Sequence, residues 1–267
     1  DNAFRGLAVK RTLRLLDAVK AKLDAQRPFP AAVTKNLHEN LVLNWTYHSN
    51  AIEGNTLSLK ETKVVLEGIT IGGKTLREHF EVINHSEAIV LLEELVAENQ
   101  PLHEWDIKLL HQLVLKNIDQ ENAGQYRQVN VLISGAEHKP IEAVRVQQFM
   151  QDFVLWYQNS AASLHPIERA ALVHSHFVKI HPFIDGNGRT ARLLMNLELL
   201  KAGYPAAVIQ VEQRLDYYQA LDAAHCNDEF EPLIQLTANS VLESFKTYFW
   251  ALGMSEQVDE LLKELHG

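Results

Sequence analysis

Twelve consecutive residues, His181-Pro-Phe-Ile-Asp-Gly-Asn-Gly-Arg-Thr-Ala-Arg192, narrow the folds open to this chain more than any other feature. Gly186 and Gly188 lack a Cβ and tolerate positive φ, so the backbone can turn tightly and approach a partner closely. The helical pattern that follows makes this turn a helix N-terminus. Amides there point outward, and the helix dipole favours an anion in front of them. Asp185 is a hard oxygen donor suited to Mg²⁺, which takes one or two carboxylates and fills its shell with substrate phosphates. Arg189 and Arg192 are three apart and share a helix face, from which both can grip phosphate oxygens in fork geometry. His181 precedes the turn and exchanges a proton near neutral pH. An ordinary helix start accounts for the two glycines. It leaves His181, Asp185, Asn187 and both arginines without a purpose, whereas a triphosphate uses all of them.

Bulk properties exclude other classes. A net charge of −9 argues against general binding to nucleic acid or an anionic membrane, since both need basic surface. No apolar run reaches membrane-spanning length, and nothing at the start reads as a signal peptide. The chain begins at Asp1 rather than Met, so an upstream segment stays open. A single cysteine, Cys226, rules out an internal disulfide and suits a reducing compartment, with the cytoplasm as the expected location.

Apolar spacing is helical almost throughout. It predicts helices over about 7–23, 37–51, 59–67, 76–97, 103–116, 142–158, 166–179, 188–202, 214–224, 232–251 and 255–265. Ser58-Leu-Lys-Glu61 and Thr75-Leu-Arg-Glu78 read as capping boxes. Pro166 and Pro232 suit first-turn positions. Residues 124–140 break the trend. Gln128-Val-Asn-Val-Leu-Ile133 is β-type, Ser134-Gly135 supplies a turn, and a short hairpin is expected there, the only strand pair in the chain.

The 181–192 stretch fills every fixed position of a pattern, His-x-Phe-x-Asp/Glu-Gly-Asn-Gly-Arg-x-x-Arg, and in this it resembles the signature of the Fic family. The resemblance extends over roughly 38–248. It implies an all-α fold, a Fic-type helical bundle with a β-hairpin flap that aligns a target's backbone by strand addition. It implies an N-terminal helical region over 1–100, a core over 101–230 and C-terminal helices over 231–267. It also implies an activity: AMP transferred from ATP to a Ser, Thr or Tyr hydroxyl of a target protein, including this chain itself, with Mg²⁺ as cofactor. On that reading His181 is the base and Asp185 the metal ligand. Gly186, Asn187, Gly188, Arg189, Thr190, Ala191 and Arg192 form the phosphate cradle, with the Asn187 side chain on the α-phosphate and Arg189 on the leaving phosphates. Ile133, Ser134 and His138 are flap residues near the nucleotide, and Tyr217 and Tyr218 face adenine. Animal-type relatives often carry asparagine seven residues beyond the second tyrosine; here the position is His225. A homodimer built through the core is a further expectation.

Ser49-Asn-Ala-Ile-Glu53-Gly54-Asn55 resembles the family's inhibitory motif, on a helix about 37–55. A Glu53 carboxylate paired with Arg192 would occupy the place of the ATP γ-phosphate and misalign the α-phosphorus. Ser49, one turn earlier, is expected to bond within the helical layer. Rival readings remain: removal of AMP through the same site, a silent nucleotide-sensing module, and a metal hydrolase built on His174, His176 and His181. The last is weak, because residues two apart on a helix point away from each other.

Overall fold

The computed structural model of the chain describes residues 2–266, and among them it contains eleven α-helices and no strand. Helix α1 (Asn2–Asp24) is followed by α2 (Ala31–Ile52), which starts earlier than its apolar pattern because Pro30 takes the N-cap position. Helices α3 (Leu59–Leu66) and α4 (Leu76–Glu98) both begin in full capping boxes, Ser58 with Glu61 and Thr75 with Glu78. Each satisfies two orphan amides and is worth about 1 kcal/mol. Then come α5 (Glu104–Val114), α6 (Val146–Asn159), α7 (Pro166–Ile180) and α8 (Asn187–Lys201). The chain closes with α9 (Arg214–Asn227), α10 (Glu231–Ala251) and α11 (Ser255–His266). Pro166 and Pro232 lie in the first turns of α7 and α10, where a missing N–H costs nothing.

The six residues between α7 and α8 return the chain so that the two helices lie along each other. Helix α8 buries residues on every side, so it is the central rod of the bundle rather than an amphipathic surface helix. One apolar core lies between it and α4, α5 and α6, containing Leu92, Ile107, Met150, Phe177 and Leu194. A second holds α1, α9 and α10 against the other side of α7 and α8, containing Leu16, Tyr217, Leu233 and Phe245. No helix among the described residues is long and apolar enough to cross a membrane.

The expected hairpin is a correction. Residues 124–142 form no ladder. Side chains hold the loop in place of cross-strand bonds. The buried Arg127 guanidinium donates to Val129 O at 3.0 Å and to Ile141 O at 2.5 Å, tying the two arms of the loop together at its base. Asn130 Oδ1 accepts from Ala143 N at 2.7 Å, and a turn at the tip is closed by Ala136 N to Ile133 O at 3.2 Å. With the arms held through one guanidinium, the β-type run makes no cross-strand backbone bonds. The flap exists as a pinned loop.

Candidate active site

A cleft of about 360 Å³ opens where the end of α2, the flap, the α7–α8 loop and α9 meet. Glu53, His181, Gly188 and Arg192 line it, facing Ile133, Ser134 and His138 of the flap. Tyr217, Tyr218 and His225 complete the wall. Residues separated by more than 170 positions in sequence are thus brought to one cavity by α2 docking beside α8.

The glycine turn is built from the core outward. Phe183 is fully buried and stacks on His111, with ring centroids 3.6 Å apart and planes 5° from parallel. His111 accepts from Gly124 N through Nδ1 at 2.9 Å and donates through Nε2 to Asp185 O at 2.7 Å. Gly186 sits at φ +81°, and a Cβ there would stand 3.1 Å from Val114 and 3.3 Å from His111. Only glycine meets both demands. Asn187 departs from expectation. Its Oδ1 accepts from Phe183 N at 3.0 Å and its Nδ2 donates to Phe183 O at 2.8 Å, so the side chain locks the loop and does not reach the cleft. Thr190 and Ala191 are fully buried in the helical interior, and Thr190 N already donates to Gly186 O. The backbone groups left without an intrahelical partner at this end of α8 are the first-turn amides, Asn187 to Arg189.

Arg192 is buried and every guanidinium nitrogen is engaged. Nε donates to Ser49 Oγ at 2.9 Å, Nη1 to the Tyr217 hydroxyl at 3.2 Å, and Nη2 to Ser49 O at 3.0 Å and Glu53 Oε1 at 2.7 Å. Ser49 therefore binds Arg192 directly rather than only its own layer. Tyr217 Oη also bonds His174 Nε2 at 2.6 Å, a chain of contacts from α7 through α9 to α8 and α2. Burial alone would lower the Arg192 guanidinium; the Tyr217 oxygen and the Glu53 carboxylate outweigh it and hold it above its ordinary value. A Cβ on Gly188 would collide with Glu53 Oε1, so the glycine also makes room for this carboxylate.

Arg189 was expected on leaving phosphates. In the chain without nucleotide it is buried, with Nη1 on Glu81 Oε2 at 3.0 Å and Nη2 on Asp185 Oδ1 at 3.3 Å. Asp185 is also held by Arg77 at 2.6 Å. Burial would raise the Asp185 carboxyl, but Arg189 and Arg77 keep it below its usual range. Among the described residues no group of three or more His, Cys, Asp or Glu side chains is arranged to hold a metal, which leaves the hydrolase reading without a site. His174 is committed to Tyr217, and His176 packs edge-on against Trp156 and Phe230.

His181 caps α7 in the left-handed region at φ 53°, rare for a non-glycine residue. Arg127 stabilises that turn, donating from Nε to His181 O at 2.7 Å and from Nη2 to Ile180 O at 3.3 Å. One guanidinium thus anchors the flap base and the candidate base together. Gly124-Gln-Tyr-Arg127 resembles the family turn that leads into the flap, but the sequence does not show the clamp that Arg127 makes; Glu81, Arg77 and His111 also act across the fold, and no local pattern marks them. Replacing Arg127 with methionine strands several carbonyls. A loss of roughly 2–4 kcal/mol is expected from urea unfolding, given about 1–3 kcal/mol per stranded buried group. Faster proteolysis within 128–140 should accompany it; an unchanged midpoint would show that the clamp is dispensable.

Burial pushes His181 down to about 4, with Arg127 adding to the shift. Burial likewise takes His85 to about 3 and His111 and His225 to about 4. The sign follows directly. Between the ordinary histidine value of about 6.5 and about 4, the unfolded chain binds protons that the folded chain refuses, so stability falls as pH falls through that window. Above about 6.5 the stabilisation is complete. Each histidine contributes a slope of up to about 1.4 kcal/mol per pH unit. The urea midpoint should be level from pH 8 to 7 and drop steeply towards pH 5. Equal midpoints at pH 7 and 5 would contradict the burial argument.

The fold and cleft define an all-helical protein in which a glycine-started helix N-terminus, a buried histidine and an arginine paired with a carboxylate share one cavity. Residues 101–199 match the model of the Fic/DOC family. Protein adenylyltransferase Fic of Drosophila willistoni is 35% identical over 257 residues, 95% of this chain and 51% of the relative. Protein adenylyltransferase fic-1 of Caenorhabditis elegans is 38% identical over 228 residues, 84% of this chain and 44% of the relative. The solved structure of Fic-1 (aa134–508) from C. elegans superposes with a TM-score of 0.86 at 33% identity, covering 94% of this chain and 74% of that one. A Fic domain containing signaling protein from Bacteroides thetaiotaomicron gives 0.83 at 28% identity, covering 90% and 98%. The chain belongs to the Fic/DOC family. It spans about half the length of the curated relatives it matches.

Proposed function

We infer that this chain is a protein adenylyltransferase: it moves AMP from ATP to a Ser, Thr or Tyr hydroxyl of a protein, and Glu53 restrains it. The observation that carries this reading is the Glu53–Arg192 pair, seated in the same cleft as a neutral His181 and the unpaired amides that open α8. His181 accepts the hydroxyl proton, the oxygen bonds to the α-phosphorus, and the bond to pyrophosphate breaks. The α8 amides stabilise the charge that develops on the phosphoryl oxygens. Arg192 takes the γ-phosphate once Glu53 has moved, and Tyr218 and His225 offer surfaces to adenine. The half-exposed Asp185 carboxylate suits Mg²⁺, which completes its shell from phosphates and so tolerates a single protein ligand. When bound, the ion would neutralise phosphate charge. The loop over 129–133 is the surface offered to a target protein, whether another protein or a second copy of this chain. The functional division we propose is 1–100 for the region bearing the brake, 101–230 for the core and 231–267 for its supporting helices.

Removal of AMP is the second reading, favoured by one observation: the Glu53 carboxylate faces the cleft beside His181 in the resting chain. An assay with α-labelled ATP and Mg²⁺ separates the two. Label on protein with Glu53→Gly, and none with Glu53→Gly/His181→Ala, supports transfer. Absence of label in every variant that binds ATP rejects it, and an AMP-modified protein offered to the wild-type chain then tests removal.

A further inference from the structure

Asp185 is approached by arginines from two helices. Oδ1 accepts from Gly186 N at 2.7 Å and from Arg189 at 3.3 Å, and Oδ2 accepts from Arg77 at 2.6 Å. Oδ2 has one partner, the Arg77 guanidinium, so a cation approaching that oxygen meets a positive charge already seated there. The two arginines are not equivalent. Arg189 is 3% exposed and fixed by Glu81. Arg77 is 53% exposed, and Glu81 stands one turn along its own helix, with Oε2 already 3.8 Å from Arg77 Nε. Arg77 also lies in the first turn of α4, the positive end of the helix dipole, where a cation gains nothing from the helix itself. Its hold on Asp185 is therefore a half-exposed ion pair with an alternative acceptor within reach.

We propose that Arg77 is a displaceable guard on Asp185: its guanidinium neutralises the carboxylate until a divalent cation arriving with nucleotide moves it towards Glu81. This rests on the nucleotide-binding reading above. Glu81 is then a positioning residue. It carries Arg189, receives Arg77, and holds Asn55 Nδ2 at 3.1 Å, two residues beyond Glu53. Removing the guard leaves Asp185 freer for the cation. Removing the Glu81 charge turns both arginines onto Asp185 and makes the cation's entry harder. The two changes act in opposite directions.

The test uses the full chain and α,β-methylene-ATP, which cannot be cleaved at the α–β bond. Its affinity is measured by calorimetry with saturating Mg²⁺ and with chelator, and the ratio of the two is the coupling between metal and nucleotide. Arg77→Ala should raise that ratio on the order of fivefold, the scale of a half-exposed ion pair. Arg77→Lys, which keeps the charge, should stay near wild type, and the near-isosteric Glu81→Gln should lower the ratio several-fold. A merely structural bridge between α4 and α8 would weaken both affinities alike and leave the ratio unchanged. An unchanged ratio, or both variants shifting it the same way, overturns the guard while leaving nucleotide binding intact. A wild-type chain that binds no analogue at any Mg²⁺ concentration overturns the nucleotide reading and the guard with it.

Discussion

Glu53→Gly should raise the rate of AMP transfer by on the order of a hundredfold or more. Every guanidinium nitrogen of Arg192 has a partner in the resting chain, among Ser49, Tyr217 and Glu53, and the side chain is 3% exposed. For a γ-phosphate to be held there, Glu53 must leave a buried cation, a step that costs about 3 kcal/mol or more. At about 1.4 kcal/mol per factor of ten, that cost alone withholds roughly a hundredfold. Glycine removes it permanently. The position is permissive, since Glu53 follows the last turn of α2 and Gly54 already takes the left-handed turn at φ 95°. Some stability should be lost, because Arg192 gives up its carboxylate partner while keeping Ser49 and Tyr217. A rate equal to that of the wild-type chain, measured by label from α-labelled ATP, would remove the brake from the mechanism.

In the Glu53→Gly background, His181→Ala should abolish transfer, a loss of about 10²–10⁴-fold for removal of a general base. ATP binding should survive, because the anion-facing amides and Arg192 do not depend on the ring. Alanine at φ 53° adds strain, so His181→Asn is the matched control: asparagine tolerates that conformation but cannot take the proton. Both variants should be inactive, with His181→Asn the more stable. The pH profile carries the same argument. Since burial pushes His181 down to about 4, the base form is already full at pH 6. Transfer by Glu53→Gly should therefore stay level from pH 8 to 6, wherever the fold itself persists. A tenfold fall per unit below pH 6.5 would mean that His181 titrates as a solvated histidine.

Much of this was legible in one dimension because the physics involved is local. Ser58 and Thr75 cap the helices their sequences announce, since a capping box closes within four residues. Gly186 and Gly188 mark a helix N-terminus because only they permit the turn and the close approach. The pairing of Glu53 with Arg192 was expected from two motifs, and the fold joins them. The hairpin was misjudged for a physical reason. β-type residues state a preference, but a ladder needs a partner edge, and Arg127 holds the two arms through their carbonyls instead. Asn187 and Arg189 have types that suit phosphate, and the sequence does not show what else holds them. Their partners within the fold, the Phe183 backbone and Glu81, become visible only once the loop is closed and α4 lies against α8.

The sequence by itself determined the helices, their caps, the glycine turn that opens α8 and the residue types available for chemistry, since each depends on neighbours a few positions apart. The tertiary structure alone decided which charges are free. Arg127, Arg189 and Arg192 are chemically alike in the sequence. Packing buries all three and commits one to carbonyls, one to Glu81 and Asp185, and one to Ser49, Tyr217 and Glu53. A buried guanidinium must find every partner it can, and those partners come from helices far apart in the chain.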